Sequence, residues 1–169
     1  KEIAKMLIDS DIDIALGGGK EFFDAEIVDG GLSMIFEKNF LNSNTLNSED
    51  RVIGLFAEDG IERKLDAPTQ LEMTQFALSF LEKKSKNCTG FFLMSEGSQI
   101  DWAGHANNVE YMLVEFADFD ATVQAATNFA AVSQNTLVLV TADHSTGGLV
   151  LQRPRGSKVP AQWTTGSHD

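Results

Sequence analysis

Six side chains of types that hold divalent cations stand together in three short stretches: Glu96, Asp101 and His105; Asp143 and His144; and His168. The chain contains three histidines, and all of them belong to this set. Asp101 and His105 stand four apart, which puts a carboxylate and an imidazole on one face of a helical turn. There they present one oxygen and one nitrogen to a metal. With His168 they make two nitrogens and one oxygen, a three-ligand set for a catalytic zinc that keeps a position open. Asp143 and His144 form an incomplete second set, and Glu96 is a hard oxygen ligand matched to magnesium. Two cations roughly 4 Å apart would stabilise both the attacking and the leaving oxygen of an in-line phosphoryl displacement. Taken singly these pairs are weak signals, since Asp-x-x-x-His is common on ordinary helices. Their joint position at the ends of predicted strands, and their use of every histidine, favour metal.

The elements that must position these groups follow from the pattern of apolar residues. Residues 91–94, Phe-Phe-Leu-Met behind Gly90, read as a strand buried on both faces of an α/β sheet. Glu96 then stands at its carboxyl end, the rim where open sheets bind ligands. Residues 135–141, with Leu137, Val138, Leu139 and Val140, read as a second buried strand that runs out into Asp143 and His144. Further strands are expected at 12–16, 52–56 and 149–151, and a brief helical end at 3–8. Thr69 and Glu72 have the spacing of a capping box. Behind them Met73, Phe76, Ala77, Phe80 and Leu81 supply the buried stripe of a core helix. A longer helix is expected from about 109 to 132, capped by Asn107 or Asn108. Leu113, Phe116, Ala117, Phe119, Val123 and Ala126 should face inward on it, and Glu110, Glu115, Asp118 and Asp120 should form a solvated face. Residues 22–48, including Gly30-Gly31 and a polar cluster at 42–48, read as loop. The alternation of strands and helices predicts an α/β fold, a mainly parallel sheet flanked by helices, in one incomplete domain over residues 1–169.

Other stretches imitate sites and fail on detail. Asp9-x-Asp11-x-Asp13 opens like a calcium loop, but Ile14 stands where the sharp turn needs glycine and Lys20 where a bidentate acid is needed. Gly17-Gly18-Gly19-Lys20 lacks the earlier glycine and the following hydroxyl of a phosphate loop. Glu58-Asp59-Gly60 reads as a charged turn, and the basic run at 153–158 as solvated surface.

Composition narrows the function classes. At 169 residues and 43% hydrophobic the chain has enough material for one core. Its 13 basic and 25 acidic residues give a net charge of −12, which would repel nucleic acid and anionic membranes. Bound cations would reverse that sign locally and admit an anionic substrate. No run approaches the roughly 20 apolar residues of a membrane span. Cys88 is the single cysteine, so no internal disulfide is possible. The chain shows no signal peptide, opens without methionine, and reads as the interior of something longer.

Three segments carry a more specific likeness. Phe-Phe-Leu-Met-Ser-Glu-Gly-Ser-Gln-Ile-Asp-Trp-Ala-Gly-His at 91–105, Thr-Ala-Asp-His-Ser-Thr-Gly-Gly at 141–148 and Trp-Thr-Thr-Gly-Ser-His at 163–168 resemble signatures of the alkaline phosphatase family, in that family's order. Residues 14–19 and 54–57 resemble it too, so the likeness covers nearly the whole chain. It implies an alkaline-phosphatase-like fold in which Asp101, His105 and His168 bind a first zinc, Asp143 and His144 a second, and Glu96 a magnesium. It implies hydrolysis of small phosphate monoesters through a phosphoserine, the first zinc assisting the leaving oxygen and later activating water, the second activating the serine. It also implies a periplasmic or secreted homodimer. Trp102 would lie near the phosphate, although an indole there reads equally well as core packing. The departure is as informative. The family's nucleophilic serine, its phosphate-gripping arginine and the remaining metal ligands lie upstream of these segments and have no counterpart here; Ser98 and Ser145 do not stand at the nucleophile's motif. The expectation is therefore the carboxyl-side part of a phosphatase, inactive alone. A phosphodiesterase or phosphomutase of the same superfamily, or a non-catalytic metal-binding domain, would share the ligands.

Overall fold

The computed structural model describes residues 2–23, 32–42, 50–63, 66–156 and 159–168. The chain divides into two compact units, Lys1–Met94 and Ser95–Asp169. The expected loops at Gly30-Gly31 and 43–48, and the end of the basic run at 157–158, lie outside the described residues.

The first unit is a layered α/β structure. Strands β1 (Ile14–Gly17), β2 (Leu32–Ile35) and β3 (Arg51–Leu55) form a parallel sheet in the order β1-β3-β2, with Ile14 opposite Val52 and Leu32 opposite Arg51. The central strand is nearly all apolar because both its faces are covered. On one face Val52 and Ile35 pack with Phe80 and Leu81 of α2 (Gln70–Lys84). On the other, Ile53 and Leu55 pack with Ile8 of α1 (Glu2–Asp9). Gly54 shares a face with Val52, and a Cβ there would fall 2.7 Å from the Leu16 side chain. The capping box forms as its spacing requires: Glu72 N–H donates to Thr69 Oγ1 at 3.2 Å, and Thr69 N–H donates to Glu72 Oε2 at 2.8 Å. The triple glycine ends β1 at Gly17 and turns the chain at Gly18 and Gly19, and a Cβ on Gly18 would lie 1.8 Å from the Asp59 carbonyl oxygen, an approach open to glycine alone. Glu58 of that charged turn pairs with Lys20 at 3.2 Å.

Two expectations for this unit need correction. Strand β2 falls in a stretch read as loop; it is only four residues long with Ser33 in its middle, a weak local signal, and its pairing with β3 makes it a strand. Residues 91–94 join no ladder among the described residues, and they are not buried on both faces. Phe91 and Leu93 pack against the first core cluster, whereas Phe92 and Met94 are 89% and 70% exposed.

The second unit contains α3 (Ser98–His105), α4 (Val109–Ser133) and a two-stranded antiparallel ribbon of β4 (Val150–Leu151) and β5 (Ala161–Gln162). Helices α3 and α4 pack on each other across a turn at Asn107, whose φ is +50°, and Asn108 caps α4 by accepting from Tyr111 N–H at 3.0 Å. The buried stripe expected for α4 is wrong in its first half. Leu113 and Phe116 are 64% and 56% exposed and Ala117 is exposed, while Phe119, Val123 and Ala126 are half-buried. The covered face runs instead through Tyr111, Glu115, Asp118 and the buried Thr122, so two acids assigned to solvent are half-covered. Helical spacing fixes that such residues share a face; the packing neighbours decide which face is covered. Residues 135–141 are likewise not a buried strand: they join no ladder among the described residues, and Leu137 and Leu139 are 80% and 82% exposed. An apolar run demands a covering surface without supplying one.

Candidate metal centre

Helix α3 carries Asp101 and His105 one turn apart, as their spacing requires, with Asp101 Oδ2 3.5 Å from His105 Nε2. His168 comes from 63 residues further along and places its Nε2 3.2 Å from His105 Nε2 and 3.5 Å from Asp101 Oδ1. One ligand atom from each residue lies within 4.8 Å of the other two, and among the described residues this is the one group of three that does so. Zinc–nitrogen bonds of about 2.0–2.1 Å at tetrahedral angles set two nitrogens about 3.3 Å apart. The two imidazoles already stand at that separation.

Small residues allow the chain to bring His168 to the helix. A Cβ on Gly104 would fall 3.0 Å from both the Cβ and the carbonyl oxygen of Thr146, so the bare helix face lets the 146–148 turn approach. Gly147 has a φ of +82°, and a Cβ on it would meet the Trp163 ring at 2.6 Å and the Gly104 carbonyl oxygen at 2.7 Å. Its own N–H donates to the Ser167 carbonyl at 3.0 Å, and its carbonyl accepts from Thr164 N–H at 3.1 Å. Thr146 and His168 pair as an isolated antiparallel bridge. The terminal histidine is thus held by backbone geometry rather than by burial.

Orientation is set as well as position. His105 Nδ1 is 2.8 Å from the Gly166 carbonyl oxygen. A carbonyl only accepts, so Nδ1 carries the proton and Nε2, the nitrogen facing His168, keeps its lone pair. A carbonyl behind a metal-binding imidazole is the usual way its tautomer is fixed.

The remaining candidates are placed differently. His144 Nε2 and Asp143 Oδ2 are 3.4 Å apart, and the His144 ring lies 3.9 Å from that of His168, so the second pair adjoins the first set. Asp143 is 86% exposed against 32% for Asp101, which makes the second pair the more open. Glu96 is exposed on the link before α3, outside the group of three. Trp102 follows Asp101 on α3 and is 45% exposed. Ser98 opens α3, and both it and Ser145 are exposed. What sequence reasoning missed is the support: Gly104, Gly147 and the Gly166 carbonyl. Glycines next to candidate ligands were the available signal.

A family model described as alkaline phosphatase matches residues 1–168. Alkaline phosphatase 3 of Bacillus subtilis (strain 168) is 41% identical over 148 residues, an alignment covering 81% of this chain and 31% of that protein. Among solved structures, a mutant of the TAB5 alkaline phosphatase with Mg bound in its M3 site superposes with a TM-score of 0.78 at 32% identity, covering 99% of this chain and 54% of that one. The cold-active alkaline phosphatase of a psychrophilic Shewanella sp. gives a TM-score of 0.79 at 36% identity, covering 88% and 38%. The chain therefore spans about a third of the length of the curated relative and about half of the TAB5 structure.

Proposed function

This chain belongs to the alkaline phosphatase family, and on that premise we propose that the protein it represents hydrolyses phosphate monoesters at metal ions held by the residues described above. Asp101, His105 and His168 hold the first zinc, Asp143 and His144 contribute to a second, and Glu96 serves a magnesium. The observation that carries the reading is the group of three, with two Nε2 atoms 3.2 Å apart and the Asp101 carboxylate facing both, Oδ2 3.5 Å from His105 Nε2 and Oδ1 3.5 Å from His168 Nε2. The donor chemistry fits, since two imidazoles and one carboxylate are a catalytic zinc set with an open position. The TAB5 mutant with Mg bound in its M3 site supports the magnesium part of this reading.

When bound, such cations supply positive charge for the oxygens that attack and leave phosphorus in an in-line displacement. The chain's own residues do the positioning. The Gly166 carbonyl keeps the His105 proton on Nδ1, and the Gly147 turn holds His168 against α3. In a protein of net charge −12 the ligand set is also where an anionic ester can be received without repulsion. We assign the phosphoserine nucleophile to no serine of this chain, so residues 1–169 form part of a longer phosphatase domain and alone turn over little substrate. The same reading makes the whole protein a periplasmic or secreted homodimer and puts Trp102 beside the phosphate.

The test is an assay of the full-length protein and of this chain alone on an aryl phosphate monoester and diester. We expect chelator-sensitive monoester hydrolysis by the full-length protein, a loss of more than about a hundredfold in His105→Ala, and near-background rates from the chain alone. Hydrolysis untouched by chelation, or a preference for the diester, would overturn the reading.

A further inference from the structure

Thr146 stands two residues after His144 and is no part of the ligand set, yet its hydroxyl touches both pairs. Its Oγ1 donates to Asp101 Oδ1 at 2.5 Å. The same oxygen lies 3.2 Å from His144 Nδ1. A hydroxyl has one proton. With that proton given to Asp101, the second contact requires His144 Nδ1 to be the donor, which leaves the lone pair on Nε2, the nitrogen 3.4 Å from Asp143 Oδ2. The carboxylate is oriented by the same bond: with Oδ1 engaged, Oδ2 is turned to His105 Nε2 at 3.5 Å.

We propose that Thr146 is a positioning residue that orders both candidate cation sites at once, by fixing the Asp101 carboxylate and the His144 tautomer through one hydroxyl. The inference rests on the ligand assignment above and adds to it a residue outside the ligand set. The side chain is itself constrained. A Cβ on Gly104 would be only 3.1 Å from Thr146 Cγ2, so the methyl packs against the bare face of α3 and the hydroxyl has one direction left. The Thr146–His168 bridge ties the same residue's backbone to the third member of the first set. Three ligand-bearing residues from three parts of the unit therefore converge on one threonine.

The experiment measures zinc affinity by chelator competition, and the visible absorption of the cobalt-substituted form, in the full-length protein and in Thr146→Val, Thr146→Ser and Asp101→Ala. Valine keeps the shape and removes the hydroxyl; serine keeps the hydroxyl and removes the methyl. We expect Thr146→Val to weaken zinc binding about 10- to 100-fold with an altered cobalt spectrum, and Thr146→Ser to recover most of both. Wild-type affinity and spectrum in Thr146→Val, or a serine variant as defective as the valine one, overturns the proposal. Should circular dichroism show the valine variant unfolded, Thr146→Ala takes its place with the same expectations. Asp101→Ala separates the two levels. If it binds zinc like the wild type, the ligand assignment itself fails; if it loses zinc while Thr146→Val does not, only the role of Thr146 fails.

Discussion

The two units of this chain are held together by different means. Among the described residues every buried hydrophobic side chain but Ala103 lies in Lys1–Met94, most of them in the two clusters that cover the faces of β3. In Ser95–Asp169 the apolar residues Leu113, Phe116, Leu137 and Leu139 are exposed, and order at the candidate site comes from backbone bridges, glycine approaches and hydrogen bonds to ligand-type side chains. Apolar burial holds a fold without any ligand, whereas polar cross-links around a ligand set reach full strength with the cation in place. The first unit is ordered by its apolar core, and the second by polar contacts around the candidate ligand set.

The sharpest way to break that contrast is to cut the scaffold. Phe80 is 6% exposed and packs with Val52, Ile35 and Leu81. Phe80→Ala should cost about 3–5 kcal/mol, read by denaturant unfolding with hydrogen exchange followed amide by amide. The loss of protection should concentrate in residues 14–17, 51–55 and 70–84. An equal loss across residues 98–105 and 146–148 would show that the two units do not differ in what holds them.

The converse measurement adds zinc instead of removing carbon. A cation that binds only the folded state at a hundred times its dissociation constant stabilises by about 2.7 kcal/mol. Slowed exchange is expected in residues 98–105, 146–148 and 164–168, with residues 51–55 unchanged. Uniform slowing throughout, or none at all, would dissolve the distinction.

The same contrast explains which features were legible beforehand. The capping box of α2 and the Asp101–His105 face of α3 depend on residues three or four apart, and both form as expected. The meeting of His168 with α3 was legible from the family resemblance, but the support that makes it possible is a matter of glycine clearances far apart in sequence. The failures share a cause. Residues 91–94 and 135–141 have the composition of buried strands, and α4 has two apolar-rich sides; in each case local pattern specifies a need for cover, and only the partner surface decides whether and where it is met.

The smallest effect sharpens the contrast from the polar side of the first unit. Glu72 Oε2 accepts from Thr69 N–H and pairs with Lys38 Nζ at 2.8 Å. Burial alone would raise its pKa, and that is the largest single influence, but the Lys38 ammonium and the Thr69 amide together outweigh it and hold the group below the ordinary glutamate value of 4.5. A carboxyl that is more acidic folded than unfolded adds stability above the unfolded pKa and loses it as pH falls through the folded one. The side chain is 40% exposed, so solvent screening keeps the contribution under about 1 kcal/mol. Thermal unfolding of the wild type and of Glu72→Gln should therefore differ slightly at pH 7, in favour of the wild type, and converge below pH 4.5 as the carboxyl takes up its proton. A gap that widened on acidification would reverse the sign argued here. A gap as large as that of Phe80→Ala would mean that the first unit, too, leans on charged cross-links more than on its core.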